Sequence, residues 1–269
     1  MLIISSRENF WDSNIVTSRQ TDEIRDVNLS LGNLNGTPVS DVQFEAQIRN
    51  KKILLLIHGY NNEPLEVTRA YKTIEERVKT LINFYDFIIG YTWPGGDDCF
   101  DYSAAKARAG VVSNRAKSWI TKMISNCSEV DIMSHSMGCR ISLMVVDDLH
   151  GGQVPKNIAM RHYIMAAAVD NESIEQYERY YEGSTYCDNA YIFHSKNDSV
   201  LKNGYRFKEW DNALGYSGPE NPDGIHSKAR VINCKRKIHA HGAYKRTDDI
   251  YNYIKNELTG TKAPQFSTL

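Results

Sequence analysis

Residues Ser134-His135-Ser136-Met137-Gly138 link a short strand-like stretch, 130–133, to one in which Met137, Ile141, Val145 and Leu149 recur at helical spacing. A serine on a tight strand-to-helix turn keeps its hydroxyl exposed in a strained backbone, and the turn needs small residues two before and two after it. Gly138 meets that demand, and Ser134 stands where a glycine is usual but remains small. The chemistry implied is nucleophilic attack on an acyl carbon. A hydroxyl needs a base for this and the base needs an orienting acid, in the chain order Ser, Asp or Glu, His. Asp198, in His194-Ser-Lys-Asn-Asp198, follows the apolar run 190–193; Asp170, at the end of the run before, is the rival acid. His241, in His239-Ala-His241-Gly-Ala-Tyr244, is the base, because Gly-Ala-Tyr suits a tight loop presenting a ring; His239 is its rival. The developing oxyanion needs backbone N–H donors. The donors assigned are Met137, directly after the nucleophile, and Tyr60 in the His58-Gly59-Tyr60 turn. The His58 side chain reads as a buried hydrogen-bonding group of that turn more than as a proton carrier. His58, Trp93 and Tyr216 are the candidates for the pocket wall.

These groups must be brought together by a sheet. A continuous apolar run at 53–57 has the character of a strand covered on both faces, 87–91 and 130–133 read as a second and third buried strand, and 162–169, 190–193 and 229–234 as further strands. Between them Val67, Tyr71, Ile74, Val78 and Leu81 recur at spacings of a helix, as do the residues of 104–124, with an apolar face including Val111, Trp119, Ile120 and Met123. Ile250, Ile254 and Leu258 mark a closing helix. Strand–helix alternation predicts a mostly parallel sheet with helices on both faces, and functional groups collected at the carboxyl ends of the strands. Residues 1–50 read as N-terminal antiparallel strands, because Val42, Phe44, Ala46 and Ile48 alternate at period two and Asn35-Gly36 signals a turn. That makes the sheet mixed. One domain is expected over 1–258, with a C-terminal tail at 259–269. Residues 203–228 form a possible active-site loop: Tyr205, Phe207 and Trp210 read as helical core, and the Gly/Pro-rich half as a long loop.

Composition excludes several classes. The 269 residues carry 32 basic and 33 acidic side chains, a net charge of −1, which removes the electrostatic case for sequence-independent nucleic-acid binding. No run approaches the roughly 18 consecutive apolar residues of a membrane-spanning helix, and the start lacks the pattern of a secretory signal. Five scattered cysteines argue against a disulfide framework or zinc knuckle and favour the reducing cytoplasm. Cys139 reads as a small core residue. Asp97 and Asp98 lack the ligand set of a calcium site, so no metal is expected, and the serine chemistry above requires no cofactor. A mean hydropathy of −0.49 and the polar stretch 216–228 weigh against lipase-like interfacial binding.

The sequence resembles the α/β-hydrolase superfamily, and within it a bacterial family known mainly as α/β-hydrolases of unknown function. The matching stretches run in order over about residues 50 to 258: Leu56-Ile-His-Gly-Tyr-Asn-Asn62, Tyr91-Thr-Trp-Pro-Gly95, His135-Ser-Met-Gly-Cys-Arg140, Met165-Ala-Ala-Ala-Val-Asp170, Ser195-Lys-Asn-Asp198 and His241-Gly-Ala-Tyr244. The resemblance implies the same α/β sheet and a Ser-Asp/Glu-His triad, carried onto Ser136, Asp198 and His241, without implying a substrate. The expectation is a serine hydrolase acting on a small-molecule acyl compound, foremost a carboxylic ester, through an acyl-enzyme on Ser136. A thioesterase, lipase, amidase or peptidase would use the same groups, and a non-catalytic protein-binding module would keep only the shape.

Overall fold

The protein is described by a computed structural model over residues 1–11, 15–30, 35–60, 63–96 and 101–269. Ten strands form one sheet among these residues. They are β1 (Leu2–Ser5), β2 (Glu23–Asp26), β3 (Thr37–Pro38), β4 (Lys52–Ile57), β5 (Phe87–Thr92), β6 (Glu129–His135), β7 (Arg161–Met165), β8 (Asn189–His194), β9 (Ala229–Asn233) and β10 (Phe266–Thr268). Their spatial order is β10-β9-β8-β7-β6-β4-β5-β1-β2-β3. Every neighbouring pair from β10 to β1 is parallel, and only β1–β2 and β2–β3 are antiparallel.

Side chains alternate across a strand, and β4 shows what its unbroken apolar run is for. Ile53, Leu55 and Ile57 face a core shared with α3 (Tyr102–Asn126) and α4 (Met137–Gly151), through Val112, Trp119, Ile141 and Val145. Leu54 and Leu56 face the other way, onto Val67, Tyr71 and Ile74 of α2 (Pro64–Arg77), which follows the short helix α1 (Asp41–Ile48), and Ile250 and Ile254 of the closing helix Asp248–Leu258. Pro64 starts the first of these helices at a position where its missing N–H costs nothing. Packed helices on both faces leave only the strand ends open for function.

Five expectations are corrected. Residues 41–48 are a helix, Asp41–Ile48, and not a strand. Phe44 and Ile48, four apart, are buried while Val42 is 78% exposed, so the period-two match is coincidental. The decisive signal is local: the Ser40 hydroxyl caps the Gln43 N–H while the Gln43 side chain returns to the Ser40 N–H. β1, in the same N-terminal stretch, runs parallel to β5 and antiparallel only to β2. The tail beyond 259 is not all loose, since Phe266–Thr268 adds β10 beside β9. Phe207 and Trp210 are not core: they are 73% and 87% exposed, whereas Tyr205 is buried. On α3 it is Val112 that packs inward, and Val111 is exposed. Asn61, Asn62, Asp97, Asp98 and Cys99 lie outside the described residues.

Candidate active site

β6 passes into α4 through a single residue, Ser136, at φ 57 and ψ −125. A positive φ is uncommon for any residue with a Cβ, and the surroundings hold it. The Ser136 N–H donates to Met165 O at 3.0 Å, and its carbonyl accepts from Cys139 N–H at 3.0 Å and Ala168 N–H at 3.2 Å. Gly138 has to be glycine: a Cβ there would stand 2.6 Å from Ile57 O and against His58 O. Gly59 has the same constraint from the other side, with its notional Cβ 2.8 Å from that of Ser136. The ends of β4 and β6 thus touch through two missing side chains.

Ser134, which replaces the usual glycine, is absorbed by a polar pocket beneath the turn. Ser142 Oγ donates to Ser134 Oγ at 2.9 Å, His162 Nε2 lies 2.8 Å from Ser142 Oγ, and Ser134 Oγ donates to Cys139 Sγ at 3.4 Å. Burial lowers the His162 pKa to about 3, so its ring is neutral at ordinary pH. Cys139 is fully buried and burial raises its thiol pKa to about 12, which makes it a packing residue.

His241 and Asp198 meet. His241 Nδ1 lies 2.7 Å from Asp198 Oδ2, and Asp198 Oδ1 accepts the Leu201 N–H at 3.0 Å. Asp198 is fully buried, so the ring and one backbone amide take up both of its oxygens. The loops carrying acid and base are fastened to each other: Ser195 Oγ donates to Ile238 O at 2.8 Å and Asn197 Nδ2 to Lys235 O at 2.8 Å. His239 points elsewhere, its Nδ1 accepting from Asn197 Nδ2 at 3.1 Å on the exposed side of the loop. Asp170 is engaged by the Tyr205 hydroxyl at 2.6 Å.

Ser136 and His241 share the wall of a cavity of about 480 Å³ at the carboxyl ends of β4 and β6. Tyr60 and Met137 line it too. Met137 is the first residue of α4, where helix N–H groups have no acceptor within the helix and the macrodipole is positive. The remaining wall is largely apolar, with Leu56, Ile74, Met133, Met165 and Leu201 inside and Glu66, Lys208 and Lys245 among its charged members.

The three wall candidates fare differently. His58 lines the cavity but is spent on structure: Trp93 N–H donates to its Nε2 at 3.1 Å, which leaves Nδ1–H for Gly59 O at 2.8 Å. Burial, aided by the positive charge of Arg7, lowers its pKa to about 3. Trp93 is fully buried, stacked on His58 with centroids 5.7 Å apart, and its indole N–H donates to His58 O at 2.8 Å; it lies behind the wall. Tyr216 packs on the core away from the cavity, and of the expected loop 203–228 only Gly204, Tyr205 and Lys208 reach it.

His135 is the residue the sequence reading missed. Its Nε2–H donates to His241 O at 2.9 Å and its ring lies 4.7 Å from that of His241. Burial, with the adjacent His241, lowers its pKa to about 3. It fixes the backbone of the loop that carries His241, and its position directly before the serine was the available signal. Among the described residues no cluster of His, Cys, Asp or Glu is arranged to hold a metal ion, and no helix is long and apolar enough to cross a membrane.

A mixed, mostly parallel sheet with a strained serine between strand and helix is the arrangement of an α/β-hydrolase. Residues 40–230 match the family described as alpha/beta hydrolase of unknown function (DUF900). The chain belongs to that family. No curated protein matches it. Among solved structures it is similar to esterase LipW from Mycobacterium marinum, at 9% identity and a TM-score of 0.35, over 82% of this chain and 65% of that one. It is also similar to a thermostable esterase from Pseudomonas putida ECU1011, at 12% identity and a TM-score of 0.34, over 91% and 75%. A third is carboxyl esterase 2 from Tuber melanosporum, at 9% identity and a TM-score of 0.31, over 96% and 78%. The chain thus spans just under two thirds of the length of LipW.

Proposed function

We propose that this hydrolase cleaves a carboxylic ester through an acyl-enzyme on Ser136. The observation that carries the reading is the 2.7 Å contact between His241 Nδ1 and a fully buried Asp198, with His241 and Ser136 on one cavity wall. Asp198 accepts a hydrogen bond from Nδ1–H and so leaves the Nε2 lone pair of His241 for the Ser136 hydroxyl. As Ser136 Oγ bonds to the carbonyl carbon, its proton passes to Nε2, and the N–H groups of Tyr60 and Met137 receive the oxyanion. Collapse breaks the ester C–O bond, and the imidazolium returns the proton to the departing alkoxide. Water, deprotonated by the same nitrogen, then attacks the acyl carbon, and Ser136 Oγ leaves with that proton as the acid is released. No cofactor enters these steps. The apolar wall formed by Leu56, Ile74, Met133 and Met165 favours an acyl chain as the occupant. Four described cysteines are free and buried, in keeping with a cytoplasmic protein.

A fluorophosphonate probe tests the reading. It labels the wild type and not Ser136→Ala, and it inhibits turnover of p-nitrophenyl esters in parallel. Full labelling of Ser136→Ala removes that serine from the chemistry. Neither labelling nor turnover in the wild type leaves a non-catalytic binding module.

A further inference from the structure

Directly after Asp198 the chain departs from ordinary helical economy three times within a few residues. Val200–Tyr205 is a π-helix, an arrangement that is rare and recurs at functional sites. One α-turn follows, Arg206–Glu209, and it is closed by Trp210 in the left-handed region at φ 62 and ψ 19. That position is normally filled by glycine or asparagine, and a bulky aromatic there is an outlier. The side chains are the third departure. Leu201 and Tyr205 are 2% and 3% exposed, but Val200, Phe207 and Trp210 are 53%, 73% and 87% exposed. Large aromatic rings contribute most when buried, and Trp11, Trp93 and Trp119 are all buried here. The strained turn leaves one indole in water.

Charge selects what that face meets. Lys202, Arg206 and Lys208 are exposed on the same segment, and its one acidic residue, Glu209, is paired with Lys106 at 2.6 Å. Asp211, the next residue, is grouped with Glu172 and Glu220, so the cationic face stops at the indole. Aromatic rings among lysines and arginines form the pattern of an element lying in an anionic membrane interface. The same segment also lines the cavity, with Val200, Leu201, Gly204, Tyr205 and Lys208 contributing to its wall beside Ser136 and His241.

We infer that residues 200–210 dock on an anionic lipid surface, placing Phe207 and Trp210 at the headgroup–acyl boundary with Lys202 and Arg206 on the headgroups. An amphiphilic acyl substrate then enters the cavity from the bilayer; this second clause rests on the reading of Ser136 as nucleophile, and the docking does not. It reverses the expectation from mean hydropathy, which averages over the whole chain and misses a local patch.

The test mixes the full chain with vesicles of phosphatidylcholine alone and of phosphatidylcholine with phosphatidylglycerol. The protein sediments with the second kind, less so in high salt, and its tryptophan emission shifts to the blue. That shift reports Trp210, because the other three tryptophans are already buried. Phe207→Ser/Trp210→Ser and Lys202→Glu/Arg206→Glu each lower the bound-to-free ratio by about tenfold or more. Absence of sedimentation and shift in the wild type overturns the inference, as does undiminished binding by both variants. A concentration-dependent dimer that Trp210→Ser abolishes assigns the face to a second copy and overturns it too. Vesicle binding by Ser136→Ala and fluorophosphonate labelling of the wild type are read separately, so failure of docking and failure of the hydrolase reading are told apart.

Discussion

Replacing Asp198 with asparagine changes the proposed machinery with almost no change of shape. Asp198 Oδ1 accepts the Leu201 N–H at 3.0 Å and Oδ2 lies 2.7 Å from His241 Nδ1. In Asp198→Asn the amide oxygen has to stay on Leu201, because an NH2 group there would set donor against donor. The NH2 is then delivered to Nδ1, and the ring proton moves to Nε2, the nitrogen that must accept from Ser136. The carboxylate charge is lost as well. An imidazolium about 4 Å from a carboxylate at an effective dielectric of about 20 is stabilised by about 4 kcal/mol, which corresponds to roughly 10³ in rate. The wrong tautomer extends the loss toward about 10⁴. We expect kcat for p-nitrophenyl butyrate to fall by 10³ to 10⁴, in order of magnitude, with KM little changed because neither group anchors the acyl chain. Near-UV circular dichroism and thermal unfolding check that the fold persists. A folded Asp198→Asn variant within about tenfold of the wild-type kcat refutes the reasoning.

Gly138→Ala forces a Cβ to within 2.6 Å of Ile57 O, so urea denaturation should show a loss of at least about 2 kcal/mol. Ser136→Gly removes the strain of φ 57 and should raise stability by about 1 kcal/mol while abolishing probe labelling; an unchanged or lower Tm contradicts a strained turn. Four histidines make stability depend on pH in one direction. The pKa values of His58, His135 and His162 are lowered to about 3 and that of His194 to about 4, all by burial first, from 6.5. Their contribution is full above 6.5. Below it the unfolded chain takes up protons that the native state refuses, and stability falls by up to about 1.4 kcal/mol per pH unit for each ring. The urea midpoint should therefore drop between about pH 6.5 and pH 4, and a flat midpoint there contradicts the burial of these rings.

What the sequence made legible follows from the range of the forces involved. The runs at 53–57, 87–91 and 190–193 are apolar whichever face they show, so burial on both sides is written into composition, and Ser136, Asp198 and His241 were visible because each stands beyond such a run or between two elements. Residues 42–48 misled because Phe44 and Ile48 satisfy a strand period and a helix period together, and only the Ser40–Gln43 capping box decides between them. β10 was invisible because a three-residue edge strand takes its register from β9 and has no pattern of its own. Phe207 and Trp210 looked like core because an aromatic ring reads the same in sequence whether its neighbour is protein or water. The cavity wall was the least accessible: Ile74, Met133 and Leu201 converge from three separate elements, and only the packing of the sheet brings them together.

The hydrogen bond from Leu201 N–H to Asp198 carries a mechanical consequence. The stretch 200–208 that closes one side of the cavity includes Leu201 itself, so acid and this part of the wall are one continuous piece of chain. A wall segment that swung open from Val200 would pull this amide off the carboxylate and release the ring of His241. Any opening that leaves the site competent must therefore pivot beyond Leu201, in the wide turn that holds Gly204, where a side chain would meet only open space. Movement at the entrance and alignment at the centre are separated by a single well-placed amide.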